Sequence, residues 1–255
     1  MTGHEGPPPP KAKNPKKQRK ERRALLRSAA AGVAVVGAAL LGFFPVLKKW
    51  NERLRPPGAI AEKDFLAACI KCGQCVQVCP VLAIKLGDLD EGFGVGVPYI
   101  DAREQACDFS CDATQCILAC PTEALSHKID KKEQVRMGLA RLSRPAACLA
   151  RQGKGFKGYA RGEGFPGLHR YHEVDRWKPI PIGEFKYDLD LCDLCIRECP
   201  IDGAITMYRI MADDGDVRGT PTVTDKCVGC GMCEMICPVE PAAIVIDIRK
   251  MWGDA

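Results

Sequence analysis

The chain changes character twice along its 255 residues. Residues 1–23 combine the run Pro7 to Pro10 with many lysines and show no apolar periodicity, which predicts a disordered basic tail. Charge then vanishes: 28–47 is twenty uncharged residues, just long enough to cross a bilayer as a helix. With its flanks, 24–50, it predicts an N-terminal signal-anchor helix. After the linker Arg55-Pro56-Pro57-Gly58 the body repeats a short unit. Cys79-Pro80, Cys120-Pro121, Cys199-Pro200 and Cys237-Pro238 are each followed by room for one helical turn, a small residue and an apolar run. Proline suits a first helical position, so the turn of helix is expected just after each pair. β-Branched residues predict short strands at 204–208, 222–224 and 244–248. The repeats pair into two modules, 60–128 and 185–250, with a basic middle insertion at 129–184, and the fold class expected is α+β.

Hydrophobic content of 46% is ordinary, and the net charge of +5 is unevenly placed. Residues 1–27 hold nine Lys and Arg against Glu5 and Glu21, which is +7 and leaves the remainder near −2. A pI of about 8.4 therefore gives no support to nucleic-acid binding. The basic residues before 28–47 outnumber Lys48, Lys49, Arg53 and Arg55 after it, which places the N-terminus inside and the body outside. No small-x-small cleavage site follows Phe44, so the anchor is expected to stay uncleaved. Arg22-Arg23-Ala24-Leu25-Leu26 resembles a twin-arginine export signal, departing from it at Glu21 and Leu25. The plainer alternative is a generic basic flank. The location these features imply is the periplasmic side of the bacterial inner membrane, N-terminally anchored.

The sixteen cysteines change the picture most. Fifteen fall into four tight groups, each ending in Cys-Pro, a punctuation that a disulfide framework has no reason to repeat. Cys69, Cys72, Cys75 and Cys79 read C-x2-C-x2-C-x3-C-P, the spacing by which bacterial ferredoxins hold [4Fe-4S] clusters. In two-cluster ferredoxins the Cys before Pro ligates the other cluster. Carried over, that rule gives Cys69, Cys72, Cys75 with Cys120, and Cys107, Cys111, Cys116 with Cys79. It also gives Cys227, Cys230, Cys233 with Cys199, and an incomplete set of Cys192, Cys195 and Cys237. The regular spacing would put the missing ligand at Leu189, so Cys148, otherwise unused, is assigned to that corner. A structural thiol and a three-iron cluster are the alternatives. Loop closure entropy grows slowly with length, so the long detour from Cys148 to Cys192 is tolerable.

Zinc would want separated pairs closing a tetrahedron, which runs of four cysteines ending in Pro do not suit. Radical chemistry wants C-x3-C-x2-C, and Cys107, Cys111 and Cys116 miss the second spacing. With all sixteen cysteines engaged no iron is left open for substrate, so carriage rather than catalysis is implied. Gly73, Gly229 and Gly231 lie between ligands, where bare backbone can approach a cluster. Residues 131–178 hold twelve Lys and Arg against four acidic residues. They read equally as a docking surface for an acidic partner or lipid headgroups and as a solvated loop. His169 and His172 within them are expected at the surface.

The chain resembles the NapG/MauM family of ferredoxin-type proteins over residues 54–250. The resemblance rests on Leu54-Arg55-Pro56-Pro57-Gly58-Ala59-Ile60, the first cysteine group, Met137-Gly138-Leu139-Ala140, Cys192-Asp193-Leu194-Cys195-Ile196-Arg197-Glu198-Cys199-Pro200 and the last group. It implies two tandem bicluster ferredoxin-like modules, four [4Fe-4S] clusters and an electron carrier that is not itself an enzyme. It also implies a membrane quinol-oxidising iron-sulfur protein as donor and a periplasmic reductase or maturation system as acceptor. Two other readings remain: the electron-transfer subunit of a larger oxidoreductase, such as a molybdenum enzyme, and a non-redox structural metal scaffold.

Overall fold

A computed structural model describes residues 15–47, 52–88, 94–111, 113–175, 177–211, 215 and 217–248. They form two compact units, divided after Lys49. The first is the single helix α1, Pro15–Leu47. It starts inside the stretch expected to be a disordered tail, because Lys16 to Arg23 are all helix-forming residues and Pro15 is tolerated at a helix start. The rest of that tail, 1–14, and the end of the expected anchor, 48–50, lie outside the described residues. Leu25, Leu26, Val33, Val35 and Val36 of α1 are exposed. Among the described residues no helix is long and apolar enough to cross a membrane.

The second unit holds every cysteine, with Cys75, Cys116, Cys195 and Cys233 on one-turn helices and the others in the loops between short elements. In chain order these are α2 (Glu62–Ala68), α3 (Gln74–Gln77), β1 (Lys85–Leu86), β2 (Pro98–Tyr99), α4 (Gln115–Leu118), β3 (Gly138–Leu142), β4 (Phe156–Tyr159), β5 (Leu168–His169), β6 (Ile180–Pro181), β7 (Lys186–Leu189), α5 (Leu194–Arg197), β8 (Ile205–Met211), β9 (Val217–Val223), α6 (Met232–Met235) and β10 (Ile244–Ile248). The strands make five antiparallel pairs, β1 with β2, β3 with β10, β4 with β7, β5 with β6 and β8 with β9. Strands were expected at three places, and β8, β9 and β10 occupy them.

The one-turn helices differ from expectation. Each lies inside a cysteine loop and ends at the residues before Cys-Pro, while the residues after the pair make turns. The proline disfavours helical backbone in the preceding residue and so closes the helix instead of opening one.

The insertion is not set apart from the modules. β3 pairs with β10 from Gly138↔Ile248 to Leu142↔Ile244, and β4 pairs with β7. One buried core runs from Leu54 and Phe65 through Ala106 and Met137 to Met232, Met235 and Ile236, so the expected tandem modules share their interior. A second cluster gathers Ala140, Cys148, Ile205 and Ile244. The expected linker at Arg55 to Gly58 is buried as well. The Arg55 guanidinium donates to Glu62 (Nη2 to Oε1, 2.7 Å) and to the Pro98 carbonyl (2.9 Å), and sits over the Phe65 ring. That bonding pins the entry of the chain to α2.

Candidate metal centre

Each cysteine loop runs into a single helical turn, and in three of the four a left-handed bend precedes it. The bend is Gly73 (φ 74°) before α3, Thr114 (φ 43°) before α4 and Gly231 (φ 90°) before α6. Glycine takes positive φ without steric cost, and Thr114 holds it against that cost. These turns bring the sixteen cysteines into four sets. Cys69, Cys72, Cys75 and Cys120 line one cavity, and Cys148, Cys192, Cys195 and Cys237 line another. Cys79 lies close enough to raise the pKa of Cys111 and Cys116, and Cys111 and Cys116 raise that of Cys107; Cys199 and Cys227 in the same way raise Cys230 and Cys233. Cys148 lies beside Cys192, Cys195 and Cys237 at the second of these cavities.

Comparison with known proteins points the same way. A 4Fe-4S dicluster domain matches residues 68–124 and a 4Fe-4S binding domain matches residues 221–241. The ferredoxin-type protein NapG of Escherichia coli (strain K12) is 37% identical over 228 residues, 88% of this chain and 83% of the relative. The methylamine utilization ferredoxin-type protein MauM of Methylorubrum extorquens is 35% identical over 220 residues, 85% of this chain and 83% of the relative. The chain belongs to the NapG/MauM family of ferredoxin-type proteins. Its cofactors are [4Fe-4S] clusters. A ferredoxin of Streptomyces griseus matches only 60 residues, at 37% identity, covering 24% of this chain and 49% of the relative. No solved structure matches the chain.

The donor set suits the family's cofactor. Burial first, and then the neighbouring thiolates, pushes Cys75 and Cys192 up to about 11. The same causes carry Cys107, Cys116, Cys195, Cys230 and Cys233 still further above the usual thiol range. Bare thiolates would not gather in such surroundings. A cationic metal core reverses the balance, since a coordinating thiol is deprotonated outright. Backbone donors then meet the sulfurs: Ala83 N–H to Cys79 (3.3 Å), Leu125 to Cys120 (3.4 Å), Ala140 to Cys227 (3.4 Å) and Ala243 to Cys237 (3.3 Å). Three of these come from the turn behind Cys-Pro, so that turn aims a donor back at its own cysteine. Hydrogen bonds to cluster sulfurs are a lever on reduction potential.

The two glycines of the last loop serve packing between segments. A Cβ on Gly229 would lie 2.3 Å from the backbone N and O of Gly138, and one on Gly231 would lie 2.5 Å from the Ala102 Cβ. Close approach is required, as the spacing suggested, but by protein from the other module and the insertion.

Other site residues escaped sequence reasoning. His169 is buried, not at the surface: its Nε2 is 2.9 Å from Glu198 Oε2 and its Nδ1 is 3.4 Å from Asp108 Oδ2. Burial works to lower the imidazole's pKa, but the bonds to Asp108 and Glu198 outweigh it and raise the ring to about 9. Burial likewise works to raise the Asp108 carboxyl, yet hydrogen bonds from His169 and Ser110 hold it below the ordinary value. Asp108 follows Cys107 and Glu198 precedes Cys199, so a carboxylate abutting a cysteine in each module was the available signal. His172 stays exposed. The insertion's cations also act inside the unit. Arg161 donates to the Arg103 carbonyl (2.7 Å), Arg170 to that of Ser110 (3.2 Å) and Lys132 to that of Pro200 (2.6 Å). These three are neither a docking surface nor a solvated loop, because they satisfy carbonyls of the cysteine loops.

Proposed function

We propose that this chain relays single electrons through four [4Fe-4S] clusters. The observation that carries this is the assembly of all sixteen cysteines into four sets of four. No cysteine is left for a nucleophilic or structural task, and no set is short of a corner for substrate. The ligands proposed are Cys69, Cys72, Cys75 and Cys120; Cys107, Cys111, Cys116 and Cys79; Cys148, Cys192, Cys195 and Cys237; and Cys227, Cys230, Cys233 and Cys199. When bound, each cluster supplies one-electron redox chemistry. The chain's own residues hold it, aim N–H donors at its sulfurs and exclude water with buried apolar neighbours such as Val228 and Ile236.

The relay is tethered on the periplasmic side of a bacterial inner membrane by the N-terminal stretch, with Arg22 and Arg23 as its export signal. Twenty uncharged residues and the exposed side chains of Leu25, Leu26, Val33, Val35 and Val36 support this, because apolar side chains in water are favoured to move into another phase. The donor is a membrane quinol-oxidising iron-sulfur protein and the acceptor a periplasmic redox protein. The test is chemical analysis of the purified chain followed by an EPR-monitored titration with quinol and membranes. About sixteen irons and equal labile sulfide per chain are expected, four clusters of four. Bound zinc, or clusters that no membrane donor reduces, would refute the reading. A C-terminal reporter that is active only outside the cytoplasm should lose its signal with Arg22→Lys and Arg23→Lys together.

A further inference from the structure

The four cysteine sets do not stand in the order in which they occur along the chain. The first set borders the second, because α3, which carries Cys75, packs against α4, which carries Cys116. The second borders the set holding Cys230. The Cys107 N–H donates to the Cys230 carbonyl (3.3 Å), and the neighbouring Ala106 N–H donates to Met235 Sδ (3.1 Å). That set in turn borders the set holding Cys148, because α6, which carries Cys233, packs against α5, which carries Cys195.

We propose that the sets form a single file from the Cys72 end, through the Cys111 set and the Cys230 set, to the Cys148 end, and that electrons cross between modules at the Cys107 to Cys230 seam. The proposal rests on the relay function above. Each crossing oxidises one side of the seam by one electron and reduces the other by one. It makes and breaks no bond and moves no proton, and the file ends at two places where different partners can dock.

Arg103 is the positioning residue of the seam. Its guanidinium reaches from the first module into the second and donates to the carbonyls of Glu234 (2.5 Å), Cys237 (2.9 Å) and Val239 (2.9 Å) and to the Glu240 carboxylate (2.7 Å). Those three carbonyls belong to α6 and the Cys-Pro turn, so one planar fork ties a ligand loop of the second module to the segment just before Cys107. Ala102, beside it, meets the space that a Gly231 side chain would fill. A lysine could replace the charge but not the fork.

The test uses the full chain loaded with iron and sulfide, reduced in steps with dithionite and followed by EPR, with iron counted in every sample. Cys72→Ser removes the first set's exposed ligand and should leave the magnetic coupling between modules intact. Cys111→Ser should abolish it. In Arg103→Gln the iron content should hold while the coupling is lost, and Arg103→Lys should not restore it. Loss of coupling in Cys72→Ser, or full coupling in iron-replete Cys111→Ser or Arg103→Gln, would overturn the order. A wild-type chain that takes up no iron would overturn the relay itself, and the order with it. If Arg103→Gln fails to load, the contrast between Cys72→Ser and Cys111→Ser still decides.

Discussion

Gly73 and Gly231 occupy the same place in their motifs, directly after the second cysteine, and each precedes a one-turn helix with positive φ. Their surroundings differ. A Cβ on Gly73 would meet nothing nearer than Leu86 Cδ1 at 3.9 Å, whereas one on Gly231 would lie 2.5 Å from the Ala102 Cβ and 3.2 Å from its Cα. Gly73→Ala should therefore cost only the left-handed backbone strain, about 1 kcal/mol. Gly231→Ala adds overpacking against an atom fixed to backbone, which costs about 1–3 kcal/mol more. At about 3 °C per kcal/mol for a unit of this size, the first variant should melt about 3 °C below wild type and the second about 10 °C below. The assay is a thermal scan of the iron-loaded chain at one fixed rate, read by loss of cluster absorbance. Equal shifts for the two variants would refute the claim that packing between modules, and not the turn alone, demands glycine at 231.

Three further outcomes are expected. Cys148→Ser should lose about four of roughly sixteen irons, or retain a three-iron cluster at that set, and full iron content would show that Cys148 is a structural thiol. His169→Gln should destabilise the loaded chain in a pH-dependent way. The folded imidazole's pKa, about 9, lies above the unfolded 6.5, so the stabilisation is complete below about pH 6.5 and is lost as pH rises through about 9. Its ceiling is about 3 kcal/mol, and a deficit that does not shrink at high pH in denaturant titrations would contradict the ion-paired assignment. Arg55→Ala should cost about 2–3 kcal/mol, measured in the same titrations, because it removes a buried guanidinium that donates to Glu62 and to the Pro98 carbonyl. A loss within experimental error would mean that solvent replaces the guanidinium.

Much of the metal chemistry was legible in sequence because cluster ligation is local. In three of the four sets three thiols come from one tight loop, and the Cys-Pro punctuation recurs wherever a fourth is lent to a neighbour. Spacing alone therefore sorted fifteen cysteines, and elimination put Cys148 with Cys192, Cys195 and Cys237. Strands β8, β9 and β10 were legible through their β-branched residues.

What tertiary structure decided is everything that depends on contact between distant segments. Whether proline opens or closes a helix depends on the backbone of the cysteine before it, and here each one-turn helix ends ahead of that cysteine. Whether the modules are separate depends on a buried surface that no local pattern encodes. Gly229 against Gly138, Gly231 against Ala102, and Arg103 across the loops of the second module join the two into one core. His169 shows the same limit, since a lone histidine in a basic stretch reads as solvated until the fold sets Asp108 and Glu198 on either side of it. The chain by itself determined which cysteines share a set; only the packing determined which sets stand side by side.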